Sequence, residues 1–226
     1  MKKIVITGTK GTIGTVLSKG LRDYEILPID LPKVDVRNYS QLSKAIKGSD
    51  TIIHLAWSTR KENLNSDSVD TDNTAMFQNI YRAALEYKVK RVIMASSVHA
   101  DTFSNMNNRR LLRIDRDPQP DSPYGAHKIF MEKLGSWYAT KGLEVICIRF
   151  GGVFPLNAAY DGDLPITGLS HPDCIELIKM CLEAKTIPNN YVILYGISEN
   201  TKRIHDYSNP FGWKPKTNAE DFYKKN

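Results

Sequence analysis

Lys3-Ile4-Val5-Ile6-Thr7-Gly8-Thr9-Lys10-Gly11-Thr12-Ile13-Gly14 reads as a buried strand, a glycine turn and the first turn of a helix. Lys3 to Thr7 is a short β-branched apolar run, and Ile13, Val16, Leu17 and Leu21 follow at helical spacing. In such a unit Gly8 permits the tight turn, Gly11 lets backbone approach a pyrophosphate, and Gly14 lets helix pack closely on strand. The N–H groups exposed at the helix start then hold the phosphates. Three glycines alone also suit any turn that needs positive φ. Context carries the reading further: a strand before, a helix after, and Asp30 closing the next strand sixteen residues past Gly14. The stretch is therefore expected to bind a dinucleotide through Gly8, Lys10, Gly11, Thr12, Ile13 and Gly14.

Glu25 to Ile29 makes the second short strand and delivers Asp30 to the place where a ribose would lie. A carboxylate there accepts hydrogen bonds from both ribose hydroxyls and repels a 2′-phosphate, which favours NAD over NADP. Lys10, Lys33 and Arg37, nearby in sequence, soften that preference. The plainer reading of Asp30 is a solvated turn residue.

At 226 residues, 41% hydrophobic and 25% charged, the chain is expected to form one domain over 1–226. The formal charge of +6 comes from basic residues scattered along the chain and not gathered into a run, so no nucleic-acid partner is expected. Cys147, Cys174 and Cys181 sit in apolar segments without metal-ligand spacing, as small core residues of a reducing compartment do, and no metal site is expected. The opening Met-Lys-Lys runs directly into the first strand and no apolar run reaches membrane-spanning length. The expectation is a cytoplasmic protein with no membrane partner.

Downstream, strand and helix patterns alternate. Helices are expected over Tyr39–Ile46, Asp72–Tyr87, Tyr124–Thr140 and Asp173–Ala184, and strands over Thr51–Ala56, Arg91–Ser96, Glu144–Arg149 and Tyr191–Tyr195. The helix from Tyr124 repeats apolar residues through Phe130, Leu134, Trp137 and Tyr138. Polar stretches at 57–71 and 101–123 lie after strand ends, and the tail around Asn209 to Pro215 reads as turns anchoring aromatics. This alternation implies a Rossmann-type α/β fold: a doubly wound parallel sheet with helices on both faces and a small C-terminal substrate-side region. Ligands bind beyond the strand C-termini of such a sheet. The substrate-side segments are expected at about 101–123, 151–170 and 198–226.

Three residues at that edge can carry chemistry: Ser97 just past a strand end, and Tyr124 and Lys128 four apart on one helix face. A free phenol ionises near pH 10, too high for a general base at neutral pH. A neighbouring ammonium, joined by the positive nicotinamide of an oxidised cofactor, favours the phenolate. Tyr124 is then expected to take a proton from a substrate hydroxyl, with Ser97 holding the substrate oxygen and Lys128 also gripping the nicotinamide ribose. With 11 tyrosines in the chain the spacing alone is common, and its plain reading is a helix start tolerant of charge. Their order along the chain, after the glycines and Asp30, lifts it.

With these pieces in order, the chain resembles the extended short-chain dehydrogenase/reductases, the NAD-dependent epimerase/dehydratase family, over essentially its whole length. The matching pieces are Thr7 to Gly14, Asp35-Val36, His54-Leu55-Ala56, Asn73, Ser96-Ser97, Tyr124-Gly125-Ala126-His127-Lys128 and the helix start Ser170-His171-Pro172-Asp173. The resemblance implies that Asp35 and Val36 flank the adenine, that Leu55, Ala56 and Ser96 line the cofactor, and that Asn73 supports the catalytic centre. By residue type alone Asn73 is equally a helix cap. Ser96-Ser97-Val98-His99, the short C-terminal portion and Phe211-Gly212-Trp213-Lys214-Pro215-Lys216 look most like the uronate dehydrogenase branch, which oxidises the anomeric carbon of a hexuronate.

On that resemblance Val98, His99 and Gly152 join Ser97 and Tyr124 as substrate contacts. Val98 stands where the branch carries Asn, and Gly152 where it carries a serine. No Lys or Arg occurs from Phe150 to Ile178, where the branch places an arginine for the carboxylate, so Arg109, Arg110 and Arg113 are the remaining dense candidates, or solvated loop charges. The expected activity is NAD-dependent oxidation of a sugar or sugar acid. A nucleotide-sugar epimerase or dehydratase and a non-catalytic NAD-binding regulator are the alternatives. The resemblance also implies a homodimer paired through the helices 72–87 and 124–140.

Overall fold

The computed structural model describes residues 1–101, 111–156 and 164–224. Six strands form one parallel sheet: β1 (Lys3–Thr7), β2 (Glu25–Ile29), β3 (Thr51–His54), β4 (Arg91–Ser97), β5 (Glu144–Phe150) and β6 (Tyr191–Gly196), in the order β2-β1-β3-β4-β5-β6. The chain leaves β2 at one edge and returns past β1 to lay down β3 on its other side. The order reverses there, and a crevice opens beyond the strand C-termini at such a point.

The strands are near-continuous apolar runs because both sheet faces are covered. Ile4, Ile6, Ile53, Ile93, Ile146 and Ile148 pack with Leu17 of α1 (Thr12–Gly20) and Leu177 of α6 (His171–Glu183). Val5, Ile52, Val92, Met94, Val145 and Cys147 point the other way, onto α2 (Tyr39–Ala45), α3 (Thr71–Glu86) and α4 (Pro123–Ala139). The two-residue alternation of strand side chains divides one apolar run between two cores. Among the described residues no helix is long and apolar enough to cross a membrane, and all three cysteines are buried and free.

Element bounds fall within two residues of the sequence reading, with three corrections. Phe130 and Trp137 on α4, read as part of an apolar stripe, are 45% and 53% exposed. The buried face of α4 instead carries Gly125, His127, Lys128, Met131, Glu132, Gly135 and Ala139. Close approach explains the choice: a Cβ on Gly135 would stand 2.5 Å from the Tyr81 hydroxyl, and one on Gly125 only 2.0 Å from the His99 carbonyl oxygen. Second, a single helical turn, α5 (Leu164–Thr167), lies in the segment read as irregular. Third, the tail ends in α7 (Ala219–Lys224), whose Tyr223 is buried against Phe154 and Leu164. Neither is long enough to declare itself by period. The turns before α7 do anchor an aromatic, since Trp213 is buried in the α1/α6 core.

Gly14 meets the turn at close range: a Cβ there would lie 2.3 Å from the Gly8 carbonyl oxygen and 2.5 Å from the Thr9 Cα. Backbone would have to move to admit it. G14A is expected to cost about 1–3 kcal/mol, measured as a lower midpoint in chemical denaturation with the slope unchanged.

Candidate active site

A cleft of about 910 Å3 runs along the C-terminal edge of the sheet, from the β1–α1 turn to the segment after β5. At one end Gly8 adopts φ of 77°, and a Cβ on it would stand 2.8 Å from the Ala56 backbone nitrogen, so the turn can press against the end of β3 only as glycine. The helix that follows starts at Gly11 with no side-chain cap and no acidic residue in its first turn. By contrast Asn38, Asp70, Ser122 and Ser170 cap α2, α3, α4 and α6. The first N–H groups of α1 are thus left for an anion in the cleft.

Next along the cleft, Asp30 accepts hydrogen bonds from the Thr9 hydroxyl and, at 3.5 Å, from the Lys10 backbone N–H. Lys10 itself donates to the Leu31 carbonyl at 2.9 Å. Arg37, one of the cations that could have weakened a preference for NAD, is engaged: it binds Asp35 at 2.7 Å and Asp72 at 2.8 Å. That guanidinium holds the Asp35 carboxyl below its usual range. The uncapped helix, the glycine cradle and the carboxylate fit a dinucleotide with a free ribose diol.

The other half of the cleft gathers Ser96, Ser97 and Val98 from the end of β4, His99 from the turn after it, Tyr124 and Lys128 from α4, and Gly152. Ser122 accepts from the Gly125 N–H at 3.1 Å, which starts α4 so that its first two turns face β4. Ser97 and Tyr124 both line this half of the cleft, and the Ser97 hydroxyl accepts from the His99 N–H at 3.3 Å. Lys128, 3% exposed, donates to the Ala95 carbonyl at 2.7 Å. Its Nζ lies 3.4 Å from the centroid of the Trp57 ring and 5.4 Å from that of Tyr124. His99 pairs with Asp121 at 2.7 Å.

Electrostatics here are dominated by burial. Lys128, joined by an oxidised nicotinamide, was expected to draw the Tyr124 phenol down; among the protein's own groups burial dominates and raises the phenol above its ordinary value, opposed by the Ser97 hydroxyl, with the Glu62 and Asp121 carboxylates adding to the rise. Burial equally pushes Lys128 down to about 7, against the pull of Glu62 and Glu132. Desolvation dominates both groups because the walls around them are protein and not water. His54, behind them on β3, is driven to about 3 by burial with Lys128 adding. Its Nδ1 lies 2.8 Å from the Thr7 hydroxyl.

Of the residues the sequence singled out, Gly8, Lys10, Gly11, Thr12, Ile13, Gly14, Asp30, Asp35, Val36, Leu55, Ala56, Ser96, Ser97, Val98, His99, Tyr124, Lys128 and Gly152 all line this cleft. Asn73 does not. It is not the cap of α3, which is Asp70: it accepts from the Ser58 N–H at 2.7 Å and donates to Glu62 at 2.9 Å, pinning the 57–71 connection. Arg113 is 65% exposed and bound to Asp115 and Asp206, away from the cleft. Arg109 and Arg110 lie outside the described residues. Sequence reading missed Trp57, Glu62 and His127 as neighbours of Lys128, and Asp121 as the partner of His99. Only Trp57, directly after the strand ending in Leu55-Ala56, carried a positional hint.

A depressed ammonium makes the fold pay for its charge. Below pH 7 Lys128 is protonated in both states and the cost of burying it is complete; between about 7 and its unfolded value near 10.4 it shrinks as the folded state sheds the proton first. K128M is therefore expected to raise the thermal midpoint at pH 6–7 by about 3–8 °C, with the gain fading as pH rises through 8 to 10. Differential scanning calorimetry across that range measures it.

A sequence model described as the NAD dependent epimerase/dehydratase family matches residues 4–163. The L-arabinose 1-dehydrogenase (NAD(P)(+)) of Haloferax volcanii is 28% identical, across 97% of this chain and 98% of that one. A uronate dehydrogenase of Pseudomonas putida is also 28% identical, across 97% and 86%. The crystal structure of uronate dehydrogenase from Agrobacterium tumefaciens superposes with a TM-score of 0.84 at 26% identity, covering 100% of this chain and 88% of that one. A mutant of that enzyme complexed with NAD matches equally well.

Proposed function

The chain belongs to the NAD-dependent epimerase/dehydratase family, and we propose that it is an oxidoreductase that uses NAD to dehydrogenate a sugar or sugar acid. The observation that carries this reading is convergence: Ser97, Tyr124 and Lys128 meet in the same cleft as the uncapped start of α1 and Asp30. The N–H groups of α1 hold the pyrophosphate, Asp30 the adenosine ribose, and Asp35 and Val36 the adenine. NAD, when bound, supplies the hydride acceptor.

Tyr124 takes the proton from the substrate hydroxyl that is oxidised. The phenol starts above its ordinary value, so it needs help to act as a base near neutral pH. Two groups of this chain give it: the Ser97 hydroxyl, which favours the phenolate, and the Lys128 ammonium on the same helix face. Ser97 also steadies the substrate oxygen. Lys128, anchored on the Ala95 carbonyl and the Trp57 ring, keeps donors directed at the nicotinamide ribose. Asn73 acts at a distance, by holding the loop through Ser58 and Glu62. His99, oriented by Asp121, with Val98 and Gly152, shapes the sugar end. Exposed Phe130 and Trp137 on α4 support pairing of two copies through α3 and α4.

Absorbance growth from NAD reduction, followed over a panel of neutral aldoses, glucuronate, galacturonate and sugar phosphates with NADP alongside, tests the reading. Turnover on a sugar or uronate is expected. Silence across the panel, with NAD binding seen by calorimetry, would falsify it. Y124F is expected to lower kcat by about 10²–10⁴-fold with NAD affinity within a few-fold of the parent, and D30N to raise NADP use relative to NAD.

A further inference from the structure

Glu62 lies in the connection between β3 and α3 and has no exposed surface. A carboxylate withdrawn from water is costly unless it is paired, and this one is held on every side. Its oxygens sit 2.8 and 3.0 Å from His127 Nδ1, and Oε2 accepts from the Asn73 amide at 2.9 Å and from the Asp70 backbone N–H at 2.8 Å. On the far side of the ring His127 Nε2 lies 2.7 Å from the Thr74 hydroxyl. A neutral imidazole satisfies both contacts, donating from Nδ1 to Glu62 and accepting at Nε2 from Thr74.

The same residues reach the working pair of the cleft. His127 precedes Lys128, and its ring packs on Trp57 with centroids 5.2 Å apart. Trp57 in turn lies across the Lys128 ammonium at 3.4 Å and meets Tyr124 edge-on at 5.9 Å. The titratable groups facing Lys128 are Tyr124 and Glu132 on its own helix, Glu62 in the loop, His54 on β3 and Cys147 on β5. Glu132 is committed to Arg149 at 2.9 and 2.8 Å and to Ser96 at 2.6 Å. Burial keeps the His54 ring and the Cys147 thiol neutral. On the Tyr124 side Asp121 is bound by His99, and beside Glu62 the Asp70 carboxylate caps α3.

We propose that Glu62 is a positioning residue for the Tyr124–Lys128 pair: it clamps the loop so that Trp57 lies over the Lys128 ammonium, and its carboxylate places negative charge beside this ammonium. The proposal rests on Lys128 being a working residue, yet its first test needs no turnover. Trp57 fluorescence in the ligand-free protein, taken as the difference from W57F and with K128M as baseline, follows the ammonium on its ring. The parent midpoint is expected near pH 7. E62Q lowers it by on the order of one pH unit, and E62D, which retains the charge but draws it back, lowers it by less. An unmoved midpoint in E62Q overturns the proposal. If E62Q does not fold, E62D alone decides, a downward shift supporting and an unmoved midpoint overturning it.

In turnover, the alkaline limb of kcat moves down with the fluorescence midpoint while KM for the sugar stays within about twofold. A purely structural role would change KM or thermal stability and leave the limb in place, which overturns the proposal. Failure of the parent enzyme on every sugar would remove the functional reading and leave the fluorescence midpoint to decide this one.

Discussion

Lys128 holds a cationic group out of water at the C-terminal end of the sheet, and much of the surrounding architecture answers that constraint. Its donors reach the Ala95 carbonyl, one residue past the last pairing of β4 with β3. The Trp57 face covers the ammonium from the other side, an interaction that gains strength as water is removed. What these two contacts do not offset is carried by carboxylates at longer range. The group is poised because its charge is expensive there, and poised groups cluster at sites of chemistry.

Two buried ionic networks flank this centre and divide the labour. One joins Asp101, Arg116, Tyr195, Arg149, Glu132 and Ser96, tying the end of β4 to α4, β5 and β6 through contacts that include Glu132–Arg149 at 2.8 Å and Tyr195–Asp101 at 2.8 Å. Its charges are matched, and its value lies in register: β4 and α4 cannot slide without stranding an arginine. The other, Glu62 with His127, Asn73 and Thr74, belongs to the loop side.

The cofactor end follows a different logic. Little there is ionic at short range; the turn works through what it lacks. Gly8 and Gly14 have no Cβ to hold β3 and the turn apart, and α1 has no cap to consume its first N–H groups. Beyond Asp30, charge enters at the rim, where Arg37 links Asp35 to Asp72 and Lys61 also reaches Asp72 at 3.1 Å. Those exposed pairs contribute little to stability, but they keep Arg37 occupied beside the adenine end.

Sequence by itself determined the sheet, the order of its elements and the position of both ends of the cleft. Strand runs with two-residue alternation and helices with apolar faces are local patterns, and the glycine turn, Asp30, Ser97, Tyr124 and Lys128 sit at fixed offsets within them. Tertiary structure alone decided what surrounds Lys128. Trp57, Glu62 and His127 come together because a connection without periodicity folds back under α4, and no spacing in the chain encodes that return. The same holds for the stripe on α4: Phe130 and Trp137 have helical period, yet which side of a helix is buried depends on how closely its neighbour approaches, and Gly125 and Gly135 bring α4 in by its small-residue face. The Tyr124 phenol shows the same division. Proximity to a lysine is legible four residues away, whereas the desolvation that outweighs it is a property of the packed walls.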